Sequence, residues 1–148
     1  MILLNRLRSK RNKPDALKPK HKGLKVTMHP VRFTNFLEIK SVGGILSLSA
    51  FKYHGKLVFE LGQQHKSKNI LLDRRELYSP SDHNELSEFL SFVMKKLPPK
   101  VNDMRFAICG QPQHKEVNDF GELFGGNRGM QVKTFVDIDE ARNWMSVG

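Results

Sequence analysis

Three short apolar runs, each hemmed in by polar or charged residues, limit what this chain can become: Asn69-Ile70-Leu71-Leu72-Asp73, Met104-Arg105-Phe106-Ala107-Ile108-Cys109 and Val132-Lys133-Thr134-Phe135-Val136. A continuous run of this length reads as a strand covered on both faces, which is the habit of parallel sheets. Helical patterns fill the intervals. Leu86, Phe89, Leu90, Val93, Met94 and Leu97 recur on one face of a 3.6-residue period, and Pro98-Pro99 ends that helix. Ser79, Ser81 and Asp82 compete for its cap, with Asp82 and Glu85 spaced as a capping box. Val117, Phe120 and Phe124 repeat at helical spacing before Gly125-Gly126. Asp137 caps a last helix carrying Ile138, Ala141, Trp144 and Met145, with Glu140 three residues on.

Upstream, Phe36-Leu37-Glu38-Ile39 and Ile45-Leu46-Ser47-Leu48 flank Ser41-Val42-Gly43-Gly44. Gly-Gly supplies the positive φ angles of tight hairpin turns, so the two runs predict an antiparallel pair. Phe51 to Gln64 follows as a helix, weakened at Gly55. The expected order is β-β-α-β-α-β-α-β-α. Strand–helix–strand units pair in parallel through right-handed crossovers. The fold class is α/β: a mixed sheet of about five strands, an antiparallel pair first, with helices packed on it.

Charge divides the chain. Of its 148 residues, the first 25 hold nine Lys or Arg against Asp15 alone, whereas the whole chain has a formal charge of +10. The expected division is a basic, disordered arm over residues 1–30, also carrying Pro14, Pro19 and Pro30, and a single, nearly neutral domain over 31–148. Met28 stands before that domain as an alternative start. Such an arm can associate with a polyanion, nucleic acid or anionic membrane, by charge. One cysteine excludes an internal disulfide framework. No apolar run approaches the roughly 20 residues of a membrane span. Met1-Ile2-Leu3-Leu4 is cut short by Asn5 and Arg6, unlike a signal peptide. The expected location is cytoplasmic.

Taken together, "NILLDRREL", "DHNELSEFLSFVMKKL", "MRFAICG", "FGELFGG" and "VKTFVDIDEARNWM" resemble the SpoIIAA-like family, over roughly Asn35 to Met145. The tail is the most telling part, with Phe135, Asp137, Glu140, Ala141 and Trp144 in step. The resemblance implies the STAS type of fold, that of anti-sigma-factor antagonists, also likened to CRAL-TRIO lipid carriers. In true antagonists a serine is phosphorylated at the start of the helix after the central strand, within Asp-Ser-Ser-Gly. Here Asp73 matches the strand-end acid, but the helix start reads Ser79-Pro80-Ser81-Asp82. Ser81 and then Ser79 are the positional matches, as phosphoacceptor or as helix cap.

No catalytic constellation stands out. Cys109 ends a strand, where ligand-binding residues gather in open α/β sheets, and His114 is near in sequence, but a third partner is missing. The six histidines show no metal-site spacing. Gly125 to Gly129 follows a helix and lacks the Gly-Lys-Ser/Thr of a phosphate loop. Asp73, Arg74 and Arg75 form a charge cluster after a central strand, as candidate anion or partner contacts or a solvated loop of local ion pairs. No cofactor or metal is expected. The leading reading is a non-catalytic regulatory domain contacting another protein through the helix of Glu85, Glu88, Lys95 and Lys96. The rival is a carrier of a small apolar ligand or lipid lined by Phe51, Phe89, Phe106, Phe120 and Phe124.

Overall fold

The chain enters its sheet earlier than the charge pattern predicts. The computed structural model describes residues 16–79, 88, 91, 95, 104–126 and 129–147. The first strand, β1, is Leu24–Arg32, inside the stretch expected to be a disordered arm. Leu24, Val26 and Met28 are buried there while Lys25 and His29 face water, the two-residue alternation of a half-buried strand. The expected boundary after residue 30 therefore falls within β1. Met28, read as an alternative start, is the fully buried centre of that strand. Pro30 is tolerated because β1 turns that side outward. Met28, two residues earlier, exchanges hydrogen bonds of 2.8 Å with Leu17 on the outer edge, so the missing Pro30 N–H is on the side away from the next strand.

The second strand, β2, is Leu37–Ile45 and pairs antiparallel with β1. The hairpin turn is at Phe33–Phe36, where the Phe33 N–H donates to the Phe36 carbonyl at 2.8 Å and the two rings stack. The expected pair of Phe36–Ile39 with Ile45–Leu48 is thus replaced. Gly43-Gly44 makes no turn and lies within β2. Gly43 has φ of 131°, and a Cβ there would sit 1.9 Å from the Lys25 carbonyl oxygen. Glycine is needed for close backbone approach, which the sequence signal does not distinguish from a turn.

From β2 the chain runs as expected for parallel units. The first helix, α1, is Leu48–Gln64, and Ser47 Oγ accepts from the Ala50 N–H at 3.1 Å as its cap. Next come β3, Asn69–Tyr78, and β4, Arg105–Cys109. A short turn at Pro112–His114 leads into α2, Lys115–Gly126. The chain ends in β5, Gln131–Phe135, and α3, Ile138–Val147. Asp137 caps α3 as expected, accepting from the N–H groups of Asp139 and Glu140 at 2.8 and 3.1 Å. The sheet has five strands in the order β1-β2-β3-β4-β5, parallel from β2 onward. The fold is α/β with a mixed sheet. Glu88, Ser91 and Lys95 have helical backbone, and Lys52 of α1 donates to Glu88 at 3.4 Å. Ser81, the Asp82–Glu85 capping box and the apolar ladder of that helix lie outside the described residues, as do residues 1–15.

Each face of the sheet has its own core. On one side Met28, Leu37, Ile39, Ile70 and Phe106 pack against Phe51, Val58 and Leu61 of α1. On the other, Leu71, Ala107 and Cys109 pack against Ala141 and Met145 of α3. Burial on both faces explains why β3 and β4 read as continuous apolar runs.

Gly43→Ala is expected to lower stability by about 2–4 kcal/mol, through strain at positive φ and a clash with β1. Gly126→Ala, where a Cβ meets nothing within 4 Å, is the control and should change stability by under about 1 kcal/mol. Equal denaturation midpoints for the two variants would contradict this placement of the glycine pair.

Candidate functional site

The charged cluster after the apolar run of β3 is part of the strand and not a solvated loop. Pairing with β2 runs Lys40 to Asp73 and then Val42 to Glu76, so β3 carries one extra residue. Such a bulge interrupts the alternation of side chains. Asp73 and Arg75 face the α3 side, and the bulge brings Glu76 round to Lys40 at 2.5 Å on that same side.

Asp73 is 2% exposed. Its carboxylate accepts from Arg75 Nε and Nη2, each at 2.9 Å, and from the Arg75 backbone N–H at 3.2 Å. Burial pushes this carboxyl up. The Arg75 hydrogen bonds and charge, helped by Lys40, outweigh it and hold Asp73 below its ordinary value. The Asp73 hydrogen bond raises Arg75 in turn. The Arg75 carbonyl accepts from Gln111 Nε2 at 2.7 Å, tying the loop after β4 to this strand.

A second clasp lies on the same face. Arg142 of α3 donates from Nε and Nη2 to the two Glu38 carboxylate oxygens at 2.7 and 2.9 Å. Glu38 is buried, and the fork-to-fork geometry anchors α3 across the sheet. Its hydrogen bond raises Arg142 above the ordinary value. Cys109 lies beside Asp73 in the β3–β4 register and is fully buried. Burial first, then the Asp73 charge, pushes its thiol up to about 11. At neutral pH it is a protonated thiol and a poor nucleophile.

Arg74 points the other way. Its guanidinium stands 5.6 Å from the Phe51 ring centroid of α1, and burial lowers its pKa to about 10. His54 of α1 shares a 2.9 Å hydrogen bond between Nε2 and Ser41 Oγ. Burial, then the charge of Arg74, lowers His54 from 6.5 to about 3, so it is neutral in the fold. The two arginines of the expected anion site thus lie on opposite faces and do not converge on one ligand. Ser79 follows β3 directly and is half-buried. Among the proposed apolar-ligand liners, Phe51 and Phe106 are 6% and 5% exposed and pack in the α1 core.

Sequence reasoning passed over Glu38, Arg142, Ser41 and His54. Glu38 carried a signal: a carboxylate inside Phe36–Ile39 requires a buried cation. Nothing in the pattern says which cation, because Arg142 is 104 positions away. A third polar group, also unforeseen, lies where α2 meets β5. There Thr134 Oγ1 donates within 2.8 Å of Asp119 and 3.0 Å of Glu122, and the Thr134 backbone N–H donates to Glu122 at 3.0 Å. Among the described residues, no group of three or more His, Cys, Asp or Glu is placed to hold a metal ion. No described helix is long and apolar enough to cross a membrane.

The sequence matches no family model and no curated protein. Solved structures do match in shape. An anti-sigma factor antagonist from Mycobacterium paratuberculosis superposes with a TM-score of 0.51 at 13% identity, over 82% of this chain and 95% of that one. An uncharacterised protein with a SpoIIAA-like fold from Shewanella loihica superposes with a TM-score of 0.51 at 19% identity, over 81% and 93%. The fold is therefore SpoIIAA-like, as the resemblance implied.

Two outcomes test the internal electrostatics. Arg142→Ala should cost about 1–3 kcal/mol by leaving Glu38 buried without its cation. The double variant Glu38→Leu/Arg142→Met should recover most of that loss in urea denaturation. Additive losses would contradict the clasp. For His54, the unfolded chain takes up a proton near pH 6.5 that the folded chain refuses until about pH 3. Stability should therefore fall as pH drops through that window, by up to about 1.4 kcal/mol per unit. Asp73, depressed in the fold, adds a loss below the ordinary carboxylate range. In denaturation at pH 7, 6 and 5, His54→Gln should show the shallower dependence, and an unchanged slope would refute the assignment.

Proposed function

We propose that this chain is a regulatory module that acts by binding another protein and performs no chemistry of its own. The observation that carries this reading is the superposition on an anti-sigma factor antagonist over 95% of that chain. The polar groups on the α3 face support it. Asp73 is spent on Arg75 and Glu38 on Arg142, and the Cys109 thiol is held protonated. These groups organise the sheet and leave recognition to the surface.

The contact surface in this reading is the helix after β3. Glu88 is exposed there, and its 3.4 Å contact with Lys52 is a surface ion pair that a partner can displace at little cost. Lys95 is exposed as well. Ser79 and Ser81 are the candidate phosphoacceptors that would tune this surface, since a phosphate adds nearly two negative charges. Asp73 and Arg75 act from beneath by fixing the strand from which that helix departs.

The test is affinity capture with the intact chain, alongside Glu88→Lys/Lys95→Glu, from lysate of the source cell with mass-spectrometric identification. Wild type should retain one protein in near-stoichiometric amount, and the charge-reversed variant should retain at least about tenfold less. Retention of no protein overturns the binding role. Equal retention by both chains overturns the choice of helix.

A further inference from the structure

Among the described residues, α3 covers only part of its face of the sheet. α3 packs over β3, β4 and β5. On β2, α3 reaches the first part of the strand, where Arg142 clasps Glu38; toward the other end, the rows of His29 with Lys40 and of Lys25 with Gly44 present basic side chains. The chain before β1 folds back along its outer edge, with Leu17 bridged to Met28 and His21 to Leu24. These two bridges share one register, which sets Lys18 opposite Thr27 and Lys20 opposite Lys25. Leu17 and Met28 point into the α1 core, and His21 stacks on Tyr53 of α1. By alternation, Lys18, Lys20 and Lys25 therefore point to the open side, where all three are exposed.

The β1–β2–β3 register continues these rows. Lys25 is opposite Gly44, which pairs with Tyr78. Gly44 has no side chain, and the exposed Leu46 reaches to 3.5 Å from where its Cβ would stand, beside the Tyr78 ring, which is 58% exposed. In the next rows His29 is opposite Lys40. The acidic residue on this surface, Glu76, is already paired with Lys40. Lysines stepped across neighbouring strands beside an exposed aromatic ring on a sheet are the two elements of single-strand recognition: cations follow the phosphates and the ring stacks on a base. An anionic bilayer also attracts lysines and seats tyrosine at its interface, so vesicles enter the test as a competitor. A duplex hides its base faces.

We propose that the sheet face carrying Lys18, Lys20, Lys25 and Tyr78 binds single-stranded nucleic acid. The surface is distinct from the helix assigned to protein contact and stands independently of that reading.

The test is fluorescence anisotropy of the intact chain with a labelled single-stranded oligonucleotide of about 16 nucleotides, across a salt series. The duplex of the same sequence and phosphatidylserine-containing vesicles are the competitors. Single-strand affinity should fall with salt at a slope of about −0.7 per phosphate contacted. Lys20→Glu/Lys25→Glu should weaken binding at least about tenfold and flatten that slope by about two contacts. Tyr78→Ala should weaken binding about five- to tenfold with the slope unchanged, the mark of lost stacking. Circular dichroism confirms that these surface variants stay folded. The proposal is overturned if duplex or vesicles compete as well as the single strand, if the lysine pair has no effect, or if Tyr78→Ala binds like wild type.

Discussion

Asp73 lies in the central strand with its carboxylate almost wholly out of water, and the fork of Arg75, two residues on, clasps both oxygens. A charge in that position destabilises a sheet unless it is paired and hydrogen-bonded. The bulge in β3 fits this pairing to the strand. It keeps Arg75 on the Asp73 side and sends Glu76 to Lys40, while Leu77 returns to the α1 core. Without the extra residue, Leu77 would turn toward the α3 side. The ion pair and the later half of the hydrophobic pattern therefore share one backbone irregularity.

The parallel half of the fold was legible because it obeys simple periods. β3, β4 and β5 read as apolar runs, α1 and α3 as amphipathic helices, and Asp137 as a cap. The first strand was hidden by its own surface. Lys25 and His29 alternate with Leu24, Val26 and Met28, and Pro30 adds a breaker, so an edge strand resembled the end of a basic tail. Edge strands carry charge and proline on purpose, since both discourage pairing with stray chains. Gly43-Gly44 misled for a related reason, because glycine marks tight turns and tight contacts alike. The candidate site was half legible. Asp73, Arg74 and Arg75 stood out by charge, but a bulge cannot be read from residue types, and the bulge decides which residues share a face. Glu38 with Arg142 and Ser41 with His54 were beyond reach because sequence distance says nothing about which buried groups meet.

The two faces of the sheet divide the work. The α1 face buries the larger core and uses its polar groups sparingly. His54 is kept neutral by burial beside Arg74, and Ser41 meets its ring nitrogen. The α3 face has the smaller core and the bidentate clasps. Glu38 and Arg142 add direction to a helix that few large apolar side chains hold, since a fork-shaped pair fixes orientation as well as distance. Arg105 does the same from β4. Its guanidinium lies 4.1 Å from the Trp144 ring centroid, and Nη2 donates to the Trp144 carbonyl at 3.2 Å.

Both edges of the sheet are partly capped, by different means, which bears on how the molecule can meet a partner. At β1 the outer groups of Met28 are taken by Leu17. At β5 the Phe135 carbonyl points inward to the Gly110 N–H, so the preceding Thr134 N–H points outward, and Glu122 of α2 accepts from it. Asp119 and Glu122 also take the Thr134 hydroxyl, and hydrogen bonds from Lys115 and Thr134 hold Asp119 below its ordinary value. An added strand would have to displace a charged acceptor at one edge and a paired segment at the other. Strand addition is therefore disfavoured, and both of the recognition surfaces proposed above lie away from the strand edges, on the helix that carries Glu88 and on the lysine rows of β1.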